Sequence, residues 1–129
     1  MLRVLLDGGS DASYIRKSVA EELGLVVIGS GTFACVGFQE RVEKPCRYDR
    51  VKISLQNRHG GEARECERWS SDRRCSPATP TAAPADLPEG LQLADDFSGG
   101  QIDILIGTDQ FYKAYLEDFT VLSDGLRAW

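Results

Sequence analysis

No apolar stretch in this chain is long enough to span a bilayer, and Leu2 to Leu6 runs into Asp7 too soon to serve as a signal-peptide core. A membrane span and a secretory leader are therefore not expected. Cysteine is sparse: the 4 residues Cys35, Cys46, Cys66 and Cys75 form no C-x-x-C pair and have no histidine at ligand spacing. That disfavours a zinc site. Without a secretory signal, free thiols in a reducing compartment are expected rather than disulfides. Histidine occurs once, as His59 in the turn signal Asn57-Arg58-His59-Gly60-Gly61, and reads as an exposed loop residue rather than a catalytic base. Concentrated positive charge is also missing. The net charge is -5, and the densest basic cluster (Arg64, Arg68, Arg73, Arg74) is interrupted by Glu65, Glu67 and Asp72. Such a mixture is a solvated face, so no direct nucleic-acid partner is expected.

What is there suffices for one domain. The 129 residues are 42% hydrophobic, enough for a real but modest core and too much for wholesale disorder. We read residues 1–129 as a single domain, without internal repeats. From Ser70 to Pro88 the composition shifts to Ser, Pro, Thr and Ala, with Pro77, Pro80, Pro84 and Pro88. This predicts a flexible insertion over 70–88 rather than a linker, because neither flank could bury a core alone.

The coarse elements follow from periodicity. Val4 to Asp7 predicts a buried strand and Tyr14-Ile15 a second extended piece. A helix is predicted from about Arg16 to Leu23, with Val19, Ala20 and Leu23 on one face and Gly24 as its stop. Leu25 to Ile28 is strand-like, and the glycine-punctuated run Gly29 to Phe38 predicts a mobile hairpin rather than core. Val51, Ile53 and Leu55 alternate with Lys52, Ser54 and Gln56, the pattern of a half-exposed strand paired with Glu62 to Trp69. Ile102 to Gly107 predicts a second buried strand. A short amphipathic helix with Phe111, Tyr112 and Tyr115 and a last strand at Phe119 to Leu122 complete the reading.

Asp7 is the residue whose placement carries most chemistry. It ends an apolar strand and is followed by Gly8, Gly9 and Ser10. A buried carboxylate has a raised pKa unless partners replace its lost water, and turn glycines let bare backbone approach whatever it faces. This suits a general acid/base.

Two blocks then combine. Leu5-Leu6-Asp7-Gly8-Gly9-Ser10-Asp11-Ala12-Ser13-Tyr14-Ile15 lies early, and Ile102-Asp103-Ile104-Leu105-Ile106-Gly107-Thr108-Asp109-Gln110-Phe111-Tyr112 lies late. With Leu23-Gly24-Leu25, Leu93-Ala94-Asp95-Asp96 and Leu122-Ser123-Asp124-Gly125-Leu126, they resemble the retropepsin-like aspartic protease region of BEL/Pao-type retrotransposon polyproteins. The resemblance implies a mainly β fold, a closed-barrel-like retropepsin lobe with one or two short helices. It implies a homodimer in which each subunit supplies one aspartate, here the catalytic Asp7, on the two-fold axis. Gly8, Gly9 and Ser10 would shape the active-site loop, and Ile106 and Gly107 would support it from behind. The substrate would be a peptide in the element's own polyprotein. No metal and no organic cofactor is implied, and the setting would be intracellular, in the cytoplasm or a retroelement particle.

Further residues follow from the same resemblance. Gly31, Val36 and Gly37 fall where the family carries its substrate-covering flap, or form an ordinary hairpin turn. Asp11 matches a position that contacts substrate backbone, or is an exposed turn residue. Two departures stand out. Gly8 replaces a Ser or Thr whose hydroxyl ties the two catalytic loops together, and Thr108 replaces an Arg that pairs with Asp11. The family also carries a terminal strand before the aspartate and another strand beyond the position of Trp129, so the chain is expected to be truncated at both ends. A catalytically inactive dimerisation or peptide-binding module of the same lobe is the alternative.

Overall fold

The computed structural model describes residues 2–34, 44–56, 60–71, 81, 89–90, 96–111, 120–121 and 127–128. In chain order these form β1 (Val4–Leu6), β2 (Tyr14–Arg16), α1 (Lys17–Glu22), β3 (Val27–Phe33), β4 (Cys46–Leu55), β5 (Arg64–Ser71), β6 (Ile104–Ile106), β7 (Thr120–Val121) and β8 (Arg127–Ala128). The fold is mainly β. Six strands make one sheet in the order β1-β6-β2-β5-β4-β3, and β7 pairs with β8 alone.

The β4–β5 hairpin is built by alternation. Val51 and Ile53 are buried, opposite Arg68 and Cys66, while Lys52 and Ser54, which alternate with them, are exposed. On the outward face Lys52 meets Glu65 at 2.6 Å, and this ion pair and hydrogen bond raise the Lys52 pKa. The helix is equally legible. α1 buries Val19 and Ala20, and its end is closed by Gly24 at φ +62. There the Gly24 N–H donates to Glu21 O and the Leu25 N–H to Ala20 O, each at 3.0 Å, which satisfies two terminal carbonyls. Leu23 was expected on the buried face; it is 48% exposed, because the chain is already turning out of the helix there.

Three expectations are corrected. The sheet is open rather than a closed barrel: β1 and β3 are its two edges, and nothing among the described residues pairs one with the other. β1 is not a buried strand, since Val4 is 41% and Leu6 43% exposed. The protected position belongs to β6, which lies between β1 and β2 and carries Ile104 at 0%. Finally, the glycine-punctuated run starts as strand. β3 continues through Gly29 and Gly31 to Phe33, paired with β4 after a register shift between Val27 and Gly29. Residues 35–43, with Val36 and Gly37, lie outside the described residues, as do most of the second expected helix and most of the 70–88 segment. Ser70 and Ser71 at the start of that segment belong to β5.

Strand register separates two faces. One row across the sheet runs Val4, Ile104, Ile15, Ser70, Asp49, and this face carries the core: Ile15, Val51, Ile53, Cys66, Ile104 and Ile106 against Val19 and Ala20 of α1. The opposite row runs Leu5, Leu105, Tyr14, Trp69, Arg50. Aromatic rings gather there. Phe33 stacks on Tyr48 at 4.5 Å and meets the Trp69 ring edge-on at 5.0 Å. Gly31 makes room for them, since a Cβ there would lie 3.0 Å from Trp69 Cη2.

Candidate active site

β1 and β6 run parallel in register, Leu6 beside Ile106, so both strands end at the same level. The next residues are Asp7 on one strand and Gly107 on the other. Asp7 extends the ladder by one bond, its N–H donating to Ile106 O at 2.9 Å. The chain then turns, with the Ser10 N–H on Asp7 O at 3.3 Å. Inside that turn the Gly9 N–H donates to Asp7 Oδ1 at 2.9 Å. One carboxylate oxygen is thereby oriented by the backbone. Asp7 as a residue is half-buried, and exposed Gly8 and Gly9 follow it, so the Gly9 bond to its carboxylate lies open to solvent. A Cβ at Gly9 would stand 3.2 Å from Asp7 Oδ1, whereas one at Gly8 would find only Phe111 Cζ at 3.9 Å.

The segment from Asp7 to Ser13 then wraps around the β6 end. Thr108 donates its N–H to Ser10 O at 2.8 Å, and its hydroxyl lies 3.2 Å from Ser10 O and 3.5 Å from Asp11 O. Gly107 is buried inside the wrap. A Cβ there would collide with Ala12 O and lie 2.7 Å from both Ala12 C and Ser10 O. Only a residue without a side chain fits against this backbone. The loop closes at Ser13, which is 0% exposed. Its carbonyl accepts the Trp69 N–H at 3.0 Å, and its hydroxyl accepts the Gly107 N–H at 3.0 Å while donating to Asp109 Oδ1 at 2.5 Å.

Behind the loop sits a buried cation. Arg68 is 2% exposed and donates to Gln110 Oε1 at 2.6 Å and to Glu67 O at 2.8 Å. Gln110 returns a bond from Nε2 to the same Glu67 carbonyl at 2.8 Å. Burial lowers the Arg68 pKa, and the negative character of Cys66 and Asp109 works the other way. Its Nε has no acceptor among the described residues. On the far flank Asp103 accepts the Arg3 N–H at 2.8 Å and pairs with the Arg16 guanidinium. Asp103 and Asp109 are thus both committed to structural partners.

The structure brings Asp7, Gly8, Gly9, Ser10, Ile106 and Gly107 together. Asp11 lies exposed in the same loop with its carbonyl near Thr108. Gly31 does not join them: it sits in β3, opposite Tyr48, at the other end of the strand order from β1. Sequence reasoning put Arg68 on a solvated face, which its 2% exposure overturns; it missed Ser13 and assigned no role to Asp109 or Gln110. For Arg68 a signal existed, since it is two residues from inward-facing Cys66 on an alternating strand. For Ser13 there was none, because a buried serine in a loop has no period. Among the described residues no three His, Cys, Asp or Glu side chains are grouped to hold a metal ion, and no helix is long and apolar enough to cross a membrane. No family model, curated protein or solved structure matches the chain.

Proposed function

We propose that this chain is one half of an aspartic endopeptidase of retroelement origin, acting on its own polyprotein as a homodimer. The observation that carries the reading is the Asp7 turn: a solvent-accessible carboxylate with one oxygen held by the Gly9 N–H, on a backbone braced by β6. Orientation without burial is what half a dyad needs. The carboxylate must be fixed, yet open to a second copy of itself.

Two Asp7 side chains about 3 Å apart across a two-fold axis cannot both ionise, so the pair holds one proton and titrates as a unit. The ionised partner removes a proton from water as it attacks the peptide carbon. The protonated partner donates to the carbonyl oxygen. Neither step calls for a metal or organic cofactor. The retropepsin lobe, the flap role of Gly31, Val36 and Gly37, the substrate contact of Asp11 and an intracellular particle setting belong to this same proposal.

The test is direct. Purified chain should cleave peptides best at mildly acidic pH, where the pair carries one proton, and Asp7→Asn should abolish cleavage. Equal activity in that variant sinks the assignment. One observation favours the second reading, a catalytically inactive dimerisation or peptide-binding module: Gly8 has no hydroxyl with which to tie two such loops together. Sedimentation with a statine-type transition-state mimic separates the two, since an enzyme dimerises more tightly with the mimic bound.

A further inference from the structure

We propose that Ser13 is a positioning residue for Asp7, and that Asp109 sets the direction of its hydroxyl. A serine hydroxyl has one hydrogen and two lone pairs. Here the hydrogen goes to Asp109 Oδ1, which leaves a lone pair to accept the Gly107 N–H. No water competes, because Ser13 is 0% exposed.

The position of Gly107 makes this bond matter. Its neighbours on either side hold both ends of the Asp7 turn: Ile106 O takes the Asp7 N–H, and the Thr108 N–H goes to Ser10 O. One hydroxyl therefore registers residues 106–108 inside the loop, and with them the turn in which Gly9 holds Asp7 Oδ1. A Gly107 N–H left without its acceptor would let the β6 end slide. The carboxylate would then lose its orientation while the distant β4–β5 hairpin stayed intact. Without Asp109 the hydroxyl is free to rotate its hydrogen toward Gly107, where it opposes that N–H instead of accepting it.

The kinetic part of the test rests on the peptidase reading; the structural part does not. The 129-residue wild type, Ser13→Ala, Asp109→Ala and Asp109→Asn are compared by NMR amide exchange at Asp7 and Gly9, with Ile53 in the hairpin as the internal reference. The same proteins are assayed on fluorescein-labelled casein at mildly acidic pH. Ser13→Ala and Asp109→Ala should speed exchange at Asp7 and Gly9 about tenfold more than at Ile53, and lower kcat about tenfold with KM within about twofold. Asp109→Asn keeps an oxygen that accepts the serine hydrogen and should stay within about threefold of wild type in both readouts.

A merely structural serine would move all three amides together, and that result overturns the proposal. Unchanged exchange in both alanine variants overturns it too. Should Ser13→Ala fail to fold, the two Asp109 variants decide, since Asp109 is exposed. If wild type cleaves nothing, the peptidase reading falls and exchange alone judges Ser13. If wild type cleaves and the alanine variants match it in both readouts, the positioning role falls and the peptidase reading stands.

Discussion

Adding a single methyl group at Gly107 should do more damage than any other change of that size in the described fold. The new Cβ would collide with Ala12 O and lie 2.7 Å from Ala12 C and Ser10 O. All three are backbone atoms, so no side chain can rotate away to relieve the clash. Either β6 slides or the loop from Asp7 to Ser13 opens. Overpacking alone costs about 1–3 kcal/mol. Opening the loop also breaks the Thr108 to Ser10 and Gly107 to Ser13 bonds, at about 1 kcal/mol each. Gly107→Ala should therefore lose about 3–5 kcal/mol, a large part of the 5–15 kcal/mol that is typical of a domain. Urea unfolding would measure the loss, and the thermal midpoint should fall by roughly 10 °C or more.

Gly8→Ala is the matched control. Its Cβ would meet only Phe111 Cζ at 3.9 Å, an ordinary contact, so stability should hold or rise by about 0.4–1 kcal/mol as the unfolded chain loses freedom. If Gly107→Ala unfolds within about 1 kcal/mol of wild type, or if Gly8→Ala is as damaged as Gly107→Ala, the wrapped loop is not as described.

Two further outcomes follow from the same geometry. The room at Gly8 admits a serine, whose hydroxyl would restore the inter-loop bond that the resemblance leads one to expect. At about 1 kcal/mol per subunit, Gly8→Ser should tighten the proposed homodimer about thirtyfold by sedimentation equilibrium, and an unchanged dimer constant counts against pairing through this loop. Arg68→Met should stay within about 1.5 kcal/mol of wild type in urea, because an apolar side chain replaces a charge that is costly to bury. Both variants strand the Gln110 acceptor, but Arg68→Ala also leaves a cavity and should lose about 2–4 kcal/mol; equal losses in the two variants would refute this.

Local signals carried much of the fold. The alternation of Val51, Ile53 and Leu55 led to β4, and the glycines at 60 and 61 to its hairpin with β5. Val19 and Ala20 with Gly24 marked α1 and its end. Each of these depends on neighbours within a few residues, and a period of 2 or 3.6 makes such neighbours visible. The exposure of β1 was not visible in this way. Val4-Leu5-Leu6 and Ile104-Leu105-Ile106 are near-identical apolar triplets, and composition cannot say which is the edge. The partner on each side decides that: among the described residues β6 has two neighbours in the sheet and β1 has one.

The candidate site divides along the same line. A strand that runs into Asp7-Gly8-Gly9 was enough to place a carboxylate in a turn, because the apolar run and the glycines act on adjacent backbone. The late Ile-Leu-Ile-Gly strand was likewise plain from its own residues. Folding alone decided that the two meet in register, that Gly107 has no space for a side chain, and that Ser13 and Thr108 bind across the gap. Those are contacts between residues far apart in the chain, paid for by loop closure rather than by local propensity, and such contacts leave no periodic trace. The turning-in of Arg68 belongs with them, since its acceptor Gln110 reaches it only once β5 and β6 have joined one sheet on either side of β2.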